Sequence, residues 1–285
     1  MKVALFADLH GNNEALQAIL ADIETQNVDV TVCAGDIADP FPGSKANWLE
    51  IQQRNIPTVI GNHEEYLISI HDPLDPLGLQ NKARFLPAIV SARSLSSQII
   101  ADMKALPMTL SIPGPNGDDI LVCHASPSHT RRSFSRIMDD EMVADLRRFP
   151  HRVIAGGHIH NIWRTEWEGR LLFLCGSGGL PLQGDTVAQY AILTYTDKCW
   201  QLEHRQLKYD HDAALRQVRE SGFLSEAGPI GWLMYDELWT AVKRVMPFFE
   251  YTGKENVPDT LPELETTVKR FLKAIGRWEY LAPLI

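Results

Sequence analysis

Side chains that bind metal ions or carry protons directly follow five apolar runs of this 285-residue chain. They form five clusters: Asp8 with His10, Asp36 with Asp39, Asn62 with His63, His124 alone, and His158 with His160. One such cluster means little, because short patterns of this kind occur by chance. However, five of the ten histidines lie in these clusters, and histidine is both a common metal ligand and the usual proton carrier near neutral pH. The conjunction predicts a site for metal or acid–base chemistry.

The spacing inside two of the clusters favours paired ligands. In locally extended chain, residues i and i+2 point the same way, so Asp8 with His10 can present two donors to one point. His158 with His160 can do the same. Glycines at positions 11, 35, 61 and 157 allow the tight backbone turns that this crowding requires.

The elements that precede the first clusters have the rhythm of a parallel sheet. Residues 2–7, 28–33 and 57–60 are apolar runs typical of buried strands. A helix with apolar residues 16, 19, 20 and 23 separates the first two runs, and residues 46–54 predict a second helix. Alternating strands and helices indicate parallel strands. Open sheets of this kind place their chemistry just past the carboxyl ends of the strands.

Later in the chain, strands follow one another with fewer helices between them. Residues 108–112 and 119–123 predict two strands, a helix over 139–149 follows, and residues 152–155 predict another strand. Further strands are predicted at 162–167, 170–175, 187–195 and 199–207. Two sheets packed face to face, with helices outside, account for this order. The expected fold class is therefore α/β.

Bulk properties exclude some classes of protein. The net charge of −9 argues against nonspecific binding of nucleic acid, because no basic field covers the whole molecule. No apolar run is long and uncharged enough to span a bilayer, and the first residues lack the pattern of a signal peptide. The four cysteines, none in CxxC spacing, predict buried free thiols rather than disulfides. We therefore expect a cytoplasmic protein without a membrane partner.

The five clusters together resemble the signature of the calcineurin-like metallophosphoesterases. The blocks are Asp8-x-His10, Gly35-Asp36-x-x-Asp39, Gly61-Asn62-His63-Glu64, His124 and Gly157-His158-x-His160. All five stand in the family's order, the similarity covers residues 1–195, and it is greatest to small prokaryotic phosphoesterases. The resemblance implies a four-layer α/β/β/α double β-sandwich, in agreement with the order of the predicted elements.

The resemblance also implies a role for each clustered residue. Asp8, His10 and His160 would hold one metal ion, and Asn62, His124 and His158 the second. Asp36 would bridge the two ions, and His63 would be the catalytic acid, held by Asp39. An ordinary turn before Pro40 stays an alternative role for Asp39. Glu64 can be a first-turn acid of a helix, and Arg131 with Arg132 can be a solvated basic pair or can contact substrate phosphate.

This ligand set predicts the cofactor and the reaction. Imidazole, carboxylate and amide ligands without thiolate suit manganese, iron, zinc, cobalt or nickel better than calcium or magnesium, and we expect two manganese ions. Two divalent ions, combined with the negative charges of the Asp8 and Asp36 carboxylates and of one hydroxide, give the site a net charge of roughly +1. This positive charge attracts a small phosphate ester. The implied function is hydrolysis of a phosphomonoester or phosphodiester by metal-bound hydroxide.

Two other functions stay open. The chain can be a catalytically silent scaffold of the same fold that binds partners through its C-terminal helices, or it can be a nuclease. Intact His63 and intact metal ligands favour the enzyme over the scaffold. One departure concerns a turn near the site, where many family members have Asn-Pro-Gly-Ser and this chain has Leu174-Cys175-Gly176-Ser177.

The last part of the chain has a different pattern. Beyond about residue 208 only helical periodicity is present, including one helix with apolar positions from 230 to 245. We therefore predict a catalytic domain over residues 1–207 and a C-terminal helical extension over 208–285. The aromatic residues of the extension are expected to pack against the catalytic domain. A homo-oligomer interface or a lid over the site are the alternatives.

Overall fold

The computed structural model describes residues 1–136, 138–253 and 256–285. Its strands are β1 (Lys2–Phe6), β2 (Val30–Cys33), β3 (Thr109–Ile112), β4 (Ile120–Cys123), β5 (Val153–Gly156), β6 (Ile162–Trp167), β7 (Arg170–Cys175), β8 (Ala188–Thr196) and β9 (Cys199–Leu207). They form a four-stranded sheet in the order β2-β1-β8-β9 and a five-stranded sheet in the order β3-β4-β5-β7-β6. Strands β1 and β2 are parallel, as are β4 and β5, so each pair ends at one edge of its sheet.

Six α-helices accompany the sheets, and six more follow them within the described residues. The first six are α1 (Asn13–Thr25), α2 (Ser44–Gln53), α3 (Asn62–His71), α4 (Leu86–Arg93), α5 (Ser97–Lys104) and α6 (Asp140–Arg147). The others are α7 (His211–Glu220), α8 (Phe223–Glu226), α9 (Gly228–Thr240), α10 (Val245–Thr252), α11 (Leu261–Ala274) and α12 (Trp278–Leu281). None of the helices in these ranges is long and apolar enough to cross a membrane.

Alternating side chains of β1 show how the layers are built. Val3 and Leu5 pack between the two sheets, whereas Ala4 and Phe6 face the other way, toward the apolar side of α1. This is the two-residue period of a strand that is covered on both faces. On the outer face of the second sheet, Leu121 packs with residues of α6. The predicted four-layer α/β/β/α fold is confirmed.

Two predicted elements differ in the structure. Residues 57–60 do not form a strand; Thr58 makes a single parallel bridge with Cys33, because Pro57 has no N–H to extend the ladder. The helix predicted through residue 245 ends at Thr240, where Ala241 takes a left-handed φ of 53°.

Among the cysteines, Cys199 is exposed, which corrects the prediction that all four are buried.

The C-terminal helices share one apolar core. Leu233, Phe248 and Leu264 from three of these helices are fully buried in it, together with Phe41 and Leu180 from the earlier part of the chain. The contacts are those expected for an extension that covers the sandwich. The division of the chain at residue 207 stays a prediction, and residues 254 and 255 of the extension lie outside the described residues.

Candidate metal centre

The loops that follow the parallel strands meet at one edge of the sandwich. After β1 and β2, the amide of Asp8 donates to Gly35 O (3.0 Å) and that of His10 donates to Asp36 O (3.1 Å). Between the sheets, the amide of His158 donates to Asp8 Oδ2 (2.9 Å). The structure therefore brings the nine residues singled out from the sequence into one place.

Most of these residues occupy backbone conformations that side chains rarely adopt. Positive φ angles occur at Asp8 (56°), His10 (52°), Asp36 (54°), Asp39 (59°), His158 (72°) and His160 (58°). The expectation that extended chain aligns residues i and i+2 is therefore wrong for both pairs. Left-handed turns aim these side chains inward instead. Such strain persists where the surrounding structure enforces it, and it is characteristic of functional sites.

The donor atoms form two adjoining groups. Atoms of Asp8, His10 and His160 lie within 4.8 Å of one another, as do atoms of Asp36, His124 and His158. These are the two ligand groups expected from the resemblance, apart from Asn62. A third combination of the same kind consists of His10, Asp36 and His63, so it shares two members with the others.

Asn62 and Asp36 both lie among the clustered histidines. Asn62 Oδ1 is 2.8 Å from His158 Nδ1 and 3.2 Å from His124 Nε2. Asp36 Oδ2 is 3.2 Å from His124 Nε2 and 3.8 Å from His10 Nε2. The Asp36 carboxylate thus lies between the two donor groups.

In three of the histidines, a hydrogen bond from one ring nitrogen fixes which nitrogen faces the candidate metal centre formed by the two donor groups. Their Nδ1 atoms donate to backbone carbonyls: His10 to Asp39 O (2.6 Å), His124 to Ala34 O (2.7 Å) and His160 to Leu180 O (2.7 Å). In the neutral ring, Nε2 then carries a lone pair, as in histidines that bind metal ions. The Nε2 atoms of His10 and His160 are 3.0 Å apart. Two lone pairs at this separation repel unless a cation lies near both, so the donor set fits a metal ion.

Burial and charge set the protonation of these groups. Burial lowers the pKa of His158 to about 3 and that of His160 to about 4, which leaves both rings neutral and able to ligate. Burial raises the pKa of Asp8 to about 8. For Asp36, burial acts in the same direction, but neighbouring histidines outweigh it and hold the pKa well below its ordinary value. Burial disfavours the charged form of His124, yet Asp36 raises its pKa to about 10, so a metal ion at Nε2 must displace a proton.

His63 differs from the other histidines in its partners. Its Nδ1 is 2.7 Å from Asp39 Oδ2, and its amide donates to Asp36 Oδ1 (2.9 Å). Burial opposes its positive charge, but the carboxylates of Asp36 and Asp39 raise its pKa to about 9. The side chain is 19% exposed and lines the cavity beside the centre, and the raised pKa favours its protonated form at neutral pH.

Glu64 is a residue whose role the sequence did not reveal. It is fully buried, and its two carboxylate oxygens accept from the amides of Asp36 (2.9 Å), Ile37 (2.8 Å), Ala38 (3.3 Å) and Gly61 (3.0 Å). It therefore fixes the loop that carries Asp36, rather than only favouring the first turn of α3. Its place in the Gly61–Glu64 block, beside Asn62 and His63, was the available signal.

Replacing Glu64 with glutamine should destabilise the protein, because the amide NH2 cannot accept from a backbone N–H and buried donors lose their partner. The expected loss is about 2–4 kcal/mol in the free energy of unfolding, measured by urea denaturation. The matched control is Glu65→Gln on the next, half-buried position, where a change of no more than about 1 kcal/mol is expected. Equal effects of the two substitutions would contradict the role of Glu64.

Ser177, which this chain shares with the Asn-Pro-Gly-Ser turn of many family members, supports the end of β1. Ser177 Oγ donates to Asp8 O (2.8 Å) and accepts from the amide of Leu180 (2.9 Å). The amide of Gly179 also donates to Asp8 O (3.0 Å). A Cβ atom at Gly179 would be 1.9 Å from Leu9 O, so only glycine fits there. Ser177 is buried, and its hydroxyl group bonds the Asp8 backbone.

The two arginines after His124 line a cavity of about 490 Å³ beside the centre. Arg131 pairs with Glu65 (2.6 Å) and lies over the ring of Tyr66. Arg132 pairs with Asp139 and Glu141. Both guanidinium groups thus have acidic partners and also border the cavity.

Residues 1–198 match the calcineurin-like phosphoesterase superfamily domain. The chain belongs to this family. An uncharacterized protein of Methanocaldococcus jannaschii is 26% identical, over 76% of this chain and 91% of its own length. Membership agrees with the histidine and aspartate groups that could bind metal, and it identifies the chain as a phosphoesterase in the broad sense.

Two solved structures of this family's fold are similar to the chain. A metallophosphoesterase from Sphaerobacter thermophilus is 23% identical, with a TM-score of 0.65 over 85% of this chain and all of its own. A hypothetical protein from Pyrococcus horikoshii is 16% identical, with a TM-score of 0.66 over 85% of this chain and 99% of its own. At this level of identity the similarity concerns the fold.

Proposed function

We propose that this chain hydrolyses a phosphomonoester or phosphodiester with two divalent transition-metal ions, manganese first among them. The supporting observation is the position of the Asp36 carboxylate between two groups of donors, in one of which the Nε2 atoms of His10 and His160 lie 3.0 Å apart. The proposal includes a catalytic domain over residues 1–207 and a helical extension over 208–285 that packs against it.

We assign seven residues of the centre as ligands of the two metal ions. Asp8, His10 and His160 would hold one ion, Asn62, His124 and His158 the other, and Asp36 both. When bound, the ions would supply Lewis-acid polarisation of the phosphoryl oxygens and lower the pKa of water toward neutrality. The chain's own contribution is to hold these donors in place before substrate arrives, through backbone hydrogen bonds at His10, His124 and His160.

His63 is proposed to donate a proton to the departing oxygen. Its Nδ1 is occupied by Asp39, which leaves Nε2 to face the cavity. Asp39 stabilises the imidazolium and orients the ring. After the P–O bond breaks, the alcohol carries the proton that His63 held, and solvent reprotonates the ring.

The direct test uses purified protein from which metal ions have been removed. With added manganese we expect hydrolysis of 4-nitrophenyl phosphate or bis(4-nitrophenyl) phosphate, abolished by a chelator and restored by excess metal. The ratio of the two rates shows whether the monoester or the diester is preferred. Failure of both substrates with manganese, iron, zinc, cobalt and nickel would overturn the proposal and favour the silent scaffold.

A further inference from the structure

A second cavity, of about 360 Å³, lies against His63 and has a different character from the first. Tyr66 and Phe85 line it from one side, and Met234, Met246 and Phe249 line it from the C-terminal helices. We call it the apolar chamber. Its aromatic wall is continuous, because the rings of Tyr66 and Phe85 pack edge to face with centroids 5.6 Å apart.

The apolar chamber adjoins the cavity beside the metal centre. His63, Met234, Val245 and Met246 line both cavities. Three of the four histidines expected to bind metal border the first cavity alone, namely His10, His158 and His160, whereas Asp39 borders the chamber. Because His63 borders both cavities, a phosphate ester with its phosphorus at the centre and its leaving oxygen at His63 can extend its leaving group into the chamber.

Charge is distributed unevenly between the two cavities. The first has Arg131, Arg132, Arg136 and Lys243 along its lining. In the chamber, apart from His63, which borders both cavities, the only cation among the described lining residues is Arg84. This asymmetry suits an anionic phosphoryl group on one side of His63 and an apolar group on the other.

The shared wall is held in position by buried carboxylates of α9. Glu237 Oε1 accepts from the amides of Arg244 (2.7 Å) and Val245 (3.0 Å). Asp236 Oδ2 accepts from Arg244 Nε (2.5 Å). These bonds fix the start of α10, so that Val245 and Met246 are already placed beside His63. Met246 is nevertheless 40% exposed, which leaves its side chain able to contact a ligand.

We propose that the apolar chamber binds the leaving-group alcohol, and that the substrates are phosphate esters of alcohols bearing an aromatic ring system or an alkyl chain. This inference rests on the proposed phosphoesterase function. In the reaction, water forms a new P–O bond, the P–O bond to the alcohol breaks, and the alcohol oxygen takes the proton from His63. The C-terminal helices thereby select the substrate.

The test compares phenyl phosphate with 2-naphthyl phosphate, whose leaving groups are similar in acidity but differ in size. The intact protein with manganese should prefer the naphthyl ester by about tenfold in kcat/KM, because the second ring is buried in the chamber. Met246→Gln should reduce this preference about fourfold. The matched control is Val242→Asn, which changes a residue of the same extension that is 42% exposed and lines neither cavity, and which should keep the preference.

Calorimetric titration of the metal-free protein with 2-naphthol separates failure of the inference from failure of the proposed function. Binding that Met246→Gln weakens and Val242→Asn does not would support the chamber. Hydrolysis of both esters without preference, together with no effect of Met246→Gln on naphthol binding, would overturn the inference and leave the proposed function standing. Naphthol binding without hydrolysis of any ester would overturn the proposed function and, with it, the assignment of the chamber to a leaving group.

Discussion

Replacing His63 with alanine is expected to slow the hydrolysis of alkyl phosphates by about a hundred- to ten-thousand-fold, the range typical of a lost general acid. Hydrolysis of 4-nitrophenyl phosphate should fall by no more than about tenfold, because nitrophenolate leaves without a proton. The difference arises from the position of His63, which holds a proton between Asp39 and the cavity. The measurement is kcat for both substrates at saturating manganese.

His129→Ala is the control for this substitution, since the His129 side chain is 41% exposed and its Nε2 is 3.8 Å from Glu141. It should leave both rates unchanged. Equal losses on the two substrates in His63→Ala would remove the role of proton donor. They would indicate that His63 binds metal or the phosphoryl group instead, as its proximity to His10 and Asp36 allows.

Replacing Asp36 with asparagine should lower the metal content from about two ions per chain to fewer than one. Activity should fall by at least about a thousandfold, because a charge shared between both donor groups is lost. The new side chain keeps an oxygen for the amide of His63, which bonds Asp36 Oδ1 in the native protein (2.9 Å). Elemental analysis after gel filtration in manganese measures the metal content.

Asp39→Asn is the matched control, because Asp39 is 2% and Asp36 1% exposed and both lie in the same loop. Its carboxylate contacts His63, whereas His10 bonds only its backbone oxygen. This variant should therefore keep two ions per chain and lose activity mainly toward alkyl phosphates. Loss of a single ion in Asp36→Asn, with the other ion fully retained, would contradict the bridging role.

Much of the fold follows from patterns that are visible in the sequence. The buried face of α1 (Leu16, Ile19, Leu20 and Ile23) has helical spacing, and Asn12 accepts from the amide of Ala15 as an N-cap does. The break at Ala241 is less predictable, because apolar periodicity continues through residue 245. It depends on Asp236 and Glu237, whose contacts lie beyond the helix itself.

The residue types of the candidate site could be predicted from the sequence, but the backbone conformations and hydrogen bonds that hold them in place could not. Clusters such as Asp8 with His10 mark the chemistry, yet the left-handed φ at both residues comes from hydrogen bonds with the neighbouring loop. Glu64 shows the same limit. A carboxylate beside a helix start has an ordinary explanation, and only the three-dimensional arrangement reveals the four backbone amides that it binds.

The central claim is that Asp36 joins two metal ions at the meeting point of the loops. Anomalous diffraction from a crystal grown with manganese, recorded on both sides of the manganese edge, tests it most directly. We predict two peaks about 3.5–4 Å apart, with Asp36 between them, one bordered by Asp8, His10 and His160 and the other by Asn62, His124 and His158. A single peak, or two peaks of which only one contacts Asp36, would contradict the claim.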